Sequence, residues 1–110
     1  MPRRKRLKAI DMTLLLREVD RERLRRLMTT HLPGVTGRIY GSRVTGRAHD
    51  ASDLDLALIA PDSQPIPMEQ LERFREALND SLIPILVDAR DWARLPKHFH
   101  AEIEKAFVEL

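Results

Sequence analysis

Two short motifs in this chain carry residue types that could do chemistry. The first is Gly41-Ser42-Arg43 and the second is Asp53-Leu54-Asp55, with ten residues between Ser42 and Asp53. Apolar residues lead into the first motif and leucines alternate with the aspartates of the second, so a β-strand is predicted at each. Successive side chains of a strand point to opposite faces, which places Asp53 and Asp55 on one face. A small turn and two carboxylates would then face the same ligand.

The residue types favour a ligand that combines a phosphate with a metal ion. Paired carboxylates repel each other, and a hard cation such as Mg²⁺ relieves that repulsion through oxygen ligands. Gly41 lets the backbone approach a triphosphate closely, Ser42 adds a hydroxyl, and a helix starting there would point N–H groups at the anion. Arg43 and Arg47 either neutralise phosphate charge or pair with a carboxylate such as Asp50, and the sequence leaves both open.

A third carboxylate follows a second apolar run. Residues 82–87 are predicted to form a short buried strand, although Pro84 confines the ladder to its later part or to a sheet edge. Asp88 follows this strand and would complete a three-carboxylate cluster for two metal ions. Asp91 is the alternative, but its position before Trp92 is more typical of a cap on a turn or helix.

Together these segments resemble a known family. Residues 39–46, 52–57 and 87–92 closely resemble the minimal nucleotidyltransferases of the DNA polymerase beta superfamily. The resemblance implies an α/β (α+β) fold, a small mixed β-sheet flanked by helices, and Mg²⁺-dependent transfer of a nucleoside monophosphate. It also implies that Asp53, Asp55 and Asp88 are catalytic and hold two Mg²⁺ ions. The triphosphate of the substrate, taken to be ATP, would lie against Gly41, Ser42 and Arg43.

The resemblance further implies a protein partner. Such enzymes are often paired with a small all-helical protein of the HEPN or substrate-binding type, and several pairs resemble toxin–antitoxin modules in which the nucleotidyltransferase adenylylates the toxin. The docking surface is predicted near Asp88 and the last helix. The alternative is a non-catalytic nucleotide-binding module that neutralises its partner by forming a complex.

Composition restricts the other classes of function. The chain has 110 residues and no cysteine, which fits one small domain and excludes disulfides and cysteine chemistry. Five basic residues fall within residues 3–8, whereas residues 9–110 carry 14 basic and 17 acidic side chains. Nucleic acid is therefore not the expected partner, because affinity for DNA depends on neutralising phosphates and residues 9–110 are acidic overall. No stretch resembles a membrane span or signal peptide, and a cytoplasmic protein is expected.

The remaining pattern predicts a domain from residue 12 to residue 110, after a basic, disordered tail at residues 1–11. A first helix is predicted to start with Asp20 as its N-cap, with Val19 packed on Leu24, and to end at Pro33-Gly34. Two more helices are predicted at residues 68–78 and 96–107, the last burying Phe99, Ile103 and Phe107. His98 and His100, two residues apart on that helix, face away from each other and do not predict a metal site.

Overall fold

A four-stranded mixed sheet organises this computed structural model, which describes residues 16–46 and 52–110. The strands are β1 (Thr36–Tyr40), β2 (Leu54–Ile59), β3 (Val87–Asp91) and β4 (Val108–Glu109), in the spatial order β3-β2-β1-β4. β1 is antiparallel to β2 and β4, and β2 is parallel to β3. The helices are α1 (Glu18–His31), α2 (Ser42–Thr45), α3 (Met68–Asn79) and α4 (Lys97–Lys105). The predicted fold class, a small mixed sheet flanked by helices, is confirmed.

One face of the sheet forms the main core. Leu54, Leu56 and Leu58 alternate along β2 and are fully buried against helices α1 and α3. Burial of each leucine side chain contributes about 1.5–3 kcal/mol, so this face strongly resists any change of register. The helices contribute the following buried residues to the same cluster: Leu24, Met28, Leu71, Phe74 and Leu78.

The opposite face carries a smaller cluster at the level of Ala57. Trp92 and Ile103 pack there, and α4 supplies Ile103. The guanidinium of Arg38 lies 5.3 Å from the centre of the Trp92 ring and 4.3 Å from that of Phe107, within range of cation–π attraction. This cluster covers the part of the face around Ala57. Asp53, Asp55 and Asp88 lie on the same face but are not members of the cluster.

The start of the first helix was predicted wrongly. Helix α1 begins at Glu18 and its N-cap is Arg17, which makes no side-chain capping bond. Asp20 lies inside the first turn, where it is buried between the guanidinium groups of Arg17 and Arg23 at 2.7 and 2.9 Å. An acidic side chain is favoured in this turn by the helix dipole. Val19 is 46% exposed, so it does not pack as a hydrophobic staple.

The strand predicted at residues 82–87 was also placed wrongly. Strand β3 begins at Val87, and the preceding segment is irregular. Ile83 is buried, but Leu82 and Leu86 are 77% and 61% exposed. Pro84 lacks the N–H that a ladder needs, which explains why pairing starts only after it. Asp88 consequently lies within the strand and not after its end.

The outer edge of β3 is partly covered by a side chain of α3. The carbonyl of Leu86 accepts from the N–H of Leu54 in β2. In a parallel pair the backbone groups of alternate residues face the neighbouring strand, so those of Asp88 and Arg90 face β2 and those of Ala89 face away from it. The guanidinium of Arg75 donates to this outward carbonyl of Ala89 through Nε and Nη2, at 3.1 and 2.7 Å. An edge that is capped in this way is less open to pairing with another strand.

The later helices follow the predictions with shifted ends. Helix α3 extends one residue beyond the predicted segment, and α4 is shorter than predicted, with Pro96 as its N-cap. Ile103 is buried as expected, whereas Phe99 and Phe107 are only partly buried. Strand β4 was not predicted, and the predicted tail lies outside the described residues. No helix within the described ranges is long and apolar enough to cross a membrane.

Candidate active site

Three side chains form a row across the sheet. Tyr40 of β1 is the register partner of Asp55 of β2, and Asp55 is the partner of Asp88 of β3. Residues in register point to the same face, so Tyr40, Asp55 and Asp88 lie side by side on the face opposite the leucines. Asp53 precedes β2 by one residue and lies at the same end of the sheet. We call Tyr40, Asp53, Asp55 and Asp88 the acidic row.

The same end of the sheet receives the glycine turn. β1 is antiparallel to β2, so the carboxyl end of β1 meets the amino ends of β2 and β3. Gly41 adopts a φ of 81°, which glycine tolerates and other residues rarely adopt. A Cβ at this position would overlap Oδ2 of Asp55 and lie 3.2 Å from its Cγ. Gly41 therefore leaves the space that the Asp55 carboxylate occupies.

The acidic row carries unbalanced negative charge. Burial, followed by the charges of Asp88 and Asp53, raises the pKa of Asp55, while Arg90 opposes the shift. Burial, followed by the charge of Asp55, also raises the pKa of Tyr40. Both shifts show that further negative charge is disfavoured here. A divalent cation would relieve this electrostatic cost.

Asp88 already has a positively charged neighbour. Its Oδ2 accepts from Nε of Arg90 at 3.2 Å and lies 3.1 Å from Nη2 of the same guanidinium. Arg90 was not among the site residues predicted from the sequence. Its spacing of two residues from Asp88 on a strand was a usable signal, because it places both side chains on one face.

The donor set fits a hard metal ion, although the ligands are not gathered around a common point. Among the residues described, no group of three His, Cys, Asp or Glu side chains is arranged to hold a metal. Carboxylates are nevertheless the preferred protein ligands of Mg²⁺, and Asp55 lies centrally between Asp53 and Asp88. The lack of a side chain at Gly41, which makes room for the Asp55 carboxylate, and the raised pKa of Asp55 both agree with a metal site. The metal-binding role of these aspartates stays a prediction.

The predicted phosphate turn is present as a single turn of helix. Helix α2 starts at Ser42, and the carbonyl of Gly41 accepts from the N–H groups of Val44 and Thr45 at 3.0 and 3.1 Å. Arg43 is buried, and its Nε and Nη2 donate to the carbonyl of Ser52 at 3.1 and 2.9 Å. Arg43 thus ties the turn to the segment before β2. Phosphate binding by Gly41, Ser42 and Arg43 stays a prediction.

Asp91 caps a turn, as its position before Trp92 predicted. Its Oδ1 accepts from the N–H of Ala93 and caps the turn that follows β3. Its Oδ2 accepts from the N–H of Ile66 at 2.9 Å and pairs with Arg94. Asp91 also lies three residues from Asp88 on the strand, on the opposite face. The structure therefore separates it from the acidic row.

The contacts of His98 and His100 are with aromatic residues and not with the acidic row. The ring of His100 stacks on Trp92 with centroids 3.9 Å apart, and its Nε2 lies 2.7 Å from the Trp92 carbonyl. The ring of His98 meets Phe99 edge to face. Arg47, His49 and Asp50 lie outside the described residues, so the predicted choice between a phosphate and a carboxylate partner for Arg47 stays open.

Comparison with known proteins identifies the family. The profile of the family described as polymerase beta, nucleotidyltransferase, matches residues 36–109, which run from β1 to β4 and include the whole acidic row. This chain belongs to the polymerase beta nucleotidyltransferase family. The predicted enzyme class, nucleotidyltransferase, is confirmed at the level of the family.

One curated relative extends the comparison. The chain is 39% identical over 77 residues to a probable protein adenylyltransferase, MntA, of Haemophilus influenzae. The aligned region covers 70% of this nucleotidyltransferase and 66% of the relative, so the chain matches slightly less than two thirds of that protein. The relative's name specifies both a transferred adenylyl group and a protein acceptor.

The contact between Gly41 and Asp55 generates the first prediction. Gly41→Ala should displace the Asp55 carboxylate and abolish the rise in melting temperature produced by Mg-ATP. Gly46→Ala is the matched control, because Gly46 has a φ of 85° and a Cβ there meets no atom of a described residue within 4 Å. Both variants should lose about 1 kcal/mol of stability through backbone strain. Stabilisation by Mg-ATP that survives in Gly41→Ala would place the nucleotide elsewhere.

The raised pKa of Asp55 generates a pH-dependent prediction. Because the pKa in the folded state is above its unfolded value, ionisation of Asp55 costs stability as pH rises through the folded pKa. Asp55→Asn removes that cost, so without metal it should melt at a higher temperature than wild type at pH 7. The difference should shrink as the pH falls from the raised folded pKa towards the unfolded pKa of aspartate, about 3.9, and should be absent below it. Thermal melts across this range test it, and a variant that is less stable at pH 7 would contradict it.

Proposed function

We propose that this enzyme transfers AMP from ATP to a hydroxyl group on a protein, with Mg²⁺ as cofactor. The observation that carries the proposal is the register that pairs Asp55 with Asp88, together with the close approach of the Asp55 carboxylate to Gly41. Two neighbouring strands thereby present carboxylates, and a third delivers the turn. The family supports nucleotide transfer, and the name of the relative supports AMP and a protein acceptor.

The residues divide into two groups by the part of the reaction they would serve. Asp53 and Asp55 would hold both metal ions, and Asp88 would hold the ion on the side of the acceptor. Mg²⁺, when bound, would neutralise phosphate charge and favour ionisation of the acceptor hydroxyl. Asp88 would also help to accept the proton of that hydroxyl as its oxygen bonds to the α-phosphorus and pyrophosphate leaves.

The turn would position the leaving group. The backbone at Gly41 and the hydroxyl of Ser42 would hold the β- and γ-phosphates, since both lie at the end of β1 beside Asp55. Arg43 would contribute its positive charge from a buried position while its guanidinium continues to bond to Ser52. The triphosphate would then lie on the β1 side of the acidic row, and the β3 side would be left for the acceptor.

A groove on the β3 side fits an approaching protein segment. It has a volume of about 370 Å³ and is lined by Asp53, Asp88, Leu86 and Arg75, among others. Leu86 is 61% exposed, and Leu82 on the same loop lines a second groove with Leu27. Exposed apolar side chains beside a polar site are typical of protein-binding surfaces. The groove thus supports a docking surface on the loop before β3, in addition to the rim near Asp88.

The partner we propose is a small all-helical protein of the HEPN or substrate-binding type. Modification of such a partner would fit an antitoxin that silences a toxin by adenylylating it. In the alternative, the protein inhibits its partner by binding alone, and the acidic row has no role in catalysis. The two differ in whether the partner gains the mass of AMP.

Co-expression with a helical partner gene encoded beside it tests the function. Mass spectrometry of the partner should show an added AMP on a hydroxyl side chain, and the family resemblance leads us to expect a tyrosine. The adduct should disappear with Asp53→Asn and with Asp88→Asn, because each removes a metal ligand. Asp62→Asn, an exposed aspartate in the turn after β2, is the control and should keep full modification. An unmodified partner that binds all forms equally well would favour the binding module.

The docking surface has a separate test. Leu86→Ser should lower the rate of AMP transfer to the partner about tenfold, because an exposed apolar contact is lost. It should leave stabilisation by Mg-ATP unchanged, since Leu86 is not in the acidic row. Met68→Ser is the control, because Met68 is 50% exposed at the start of α3. Equal transfer rates for both variants would exclude this docking surface.

A further inference from the structure

The ion pair between Arg90 and Asp88 has an unusual arrangement of contacts. Nε and Nη2 of the guanidinium both approach Oδ2 of Asp88, at 3.2 and 3.1 Å. Oδ1 of Asp88 accepts no hydrogen bond from any residue that the structure describes. One oxygen of the carboxylate is therefore held by a positive charge, and the other is available to a second ligand.

The sheet register explains why Arg90 can reach the acidic row. Arg90 is the partner of Ala57, and Ala57 is the partner of Arg38, so these three form the next row on the same face. Ala57 is fully buried, so Arg90 reaches the acidic row along β3, where it lies two residues from Asp88 on the same face. The charge of Arg90 accordingly acts on Asp55 as well as on Asp88.

We propose that Arg90 is an internal counter-cation that competes with the divalent metal for Asp88. Without metal, the guanidinium holds the Asp88 carboxylate in place and offsets part of the repulsion within the acidic row. When metal binds, the ion takes Oδ1 of Asp88 and weakens the pairing with Arg90. This inference rests on the proposed metal role of Asp53, Asp55 and Asp88.

The proposal predicts in which direction the metal affinity changes when Arg90 is replaced. A positive charge beside the site repels a divalent cation, so removing it should tighten metal binding. The pair is partly exposed, with 45% of the Arg90 side chain and 38% of that of Asp88 accessible, so solvent screens the effect. A role in stabilisation alone predicts a lower melting temperature on loss of Arg90 but no gain in metal affinity.

The test measures binding of Mn²⁺ to the full chain without nucleotide, by electron paramagnetic resonance of the free ion. Arg90→Gln should bind Mn²⁺ about three- to tenfold more tightly than wild type. It should also melt at a lower temperature without metal and gain more on adding Mn²⁺. Arg90→Lys keeps the charge and should bind Mn²⁺ like wild type.

The matched control is Arg73→Gln. Arg73 forms an exposed ion pair with Glu69 on α3, at 2.8 Å, and its loss changes the net charge equally. Its affinity for Mn²⁺ should equal that of wild type. If Asp55→Asn abolishes binding but Arg90→Gln binds like wild type or more weakly, the inference is overturned and the metal site stands. If wild type fails to bind Mn²⁺, or Asp55→Asn binds it equally well, the inference and the proposed metal role both fail.

Discussion

Repulsion between like charges on neighbouring strands is the constraint around which this molecule is organised. Asp55 and Asp88 are register partners, and Asp53 adds a third carboxylate at the same end of the sheet. A folded chain gains nothing from this placement, and burial, followed by the charges of Asp88 and Asp53, raises the pKa of Asp55. The fold tolerates it because the energy gained on the other face of the same strand is much larger. Such a cost is typical of a functional site, where the geometry serves a ligand.

The leucine face fixes the position of the acidic row. A slip of one residue in β2 would turn Leu54, Leu56 and Leu58 out of the main core and move Asp55 into it. Loss of three buried leucines would cost roughly 5–9 kcal/mol, comparable to the whole stability of a small domain. The core therefore holds Asp55 beside Asp88 and leaves Gly41 to accommodate the carboxylate. Arg90 offsets a part of the remaining charge.

Local patterns predicted the parts of the fold and site that depend on local sequence. The alternation of residues 53–58 was sufficient for β2 and the shared face of its aspartates, and the glycine turn was recognised from residue types. Strand β3 was misplaced because residues 82–87 are apolar, whereas pairing with β2 begins only beyond Pro84. The edge strand Val87–Asp91 contains three charged residues among five, so its extent is not marked by a hydrophobic pattern, although the apolar run before it led to Asp88. The N-cap was placed at Asp20 although the helix begins at Glu18, because Asp is typical both of an N-cap and of the first turn, where Asp20 pairs with Arg17 and Arg23 three residues to either side.

A crystal structure with Mn²⁺ and a non-hydrolysable ATP analogue tests the central claim most directly, because the anomalous signal locates the metal without assumptions about activity. The account predicts metal bound about 2.1 Å from carboxylate oxygens of Asp53, Asp55 and Asp88. It also predicts the triphosphate against Gly41 and Ser42, with Asp88 turned away from Arg90. Metal bound elsewhere, or a triphosphate distant from the glycine turn with Asp55 and Asp88 unligated, would contradict it.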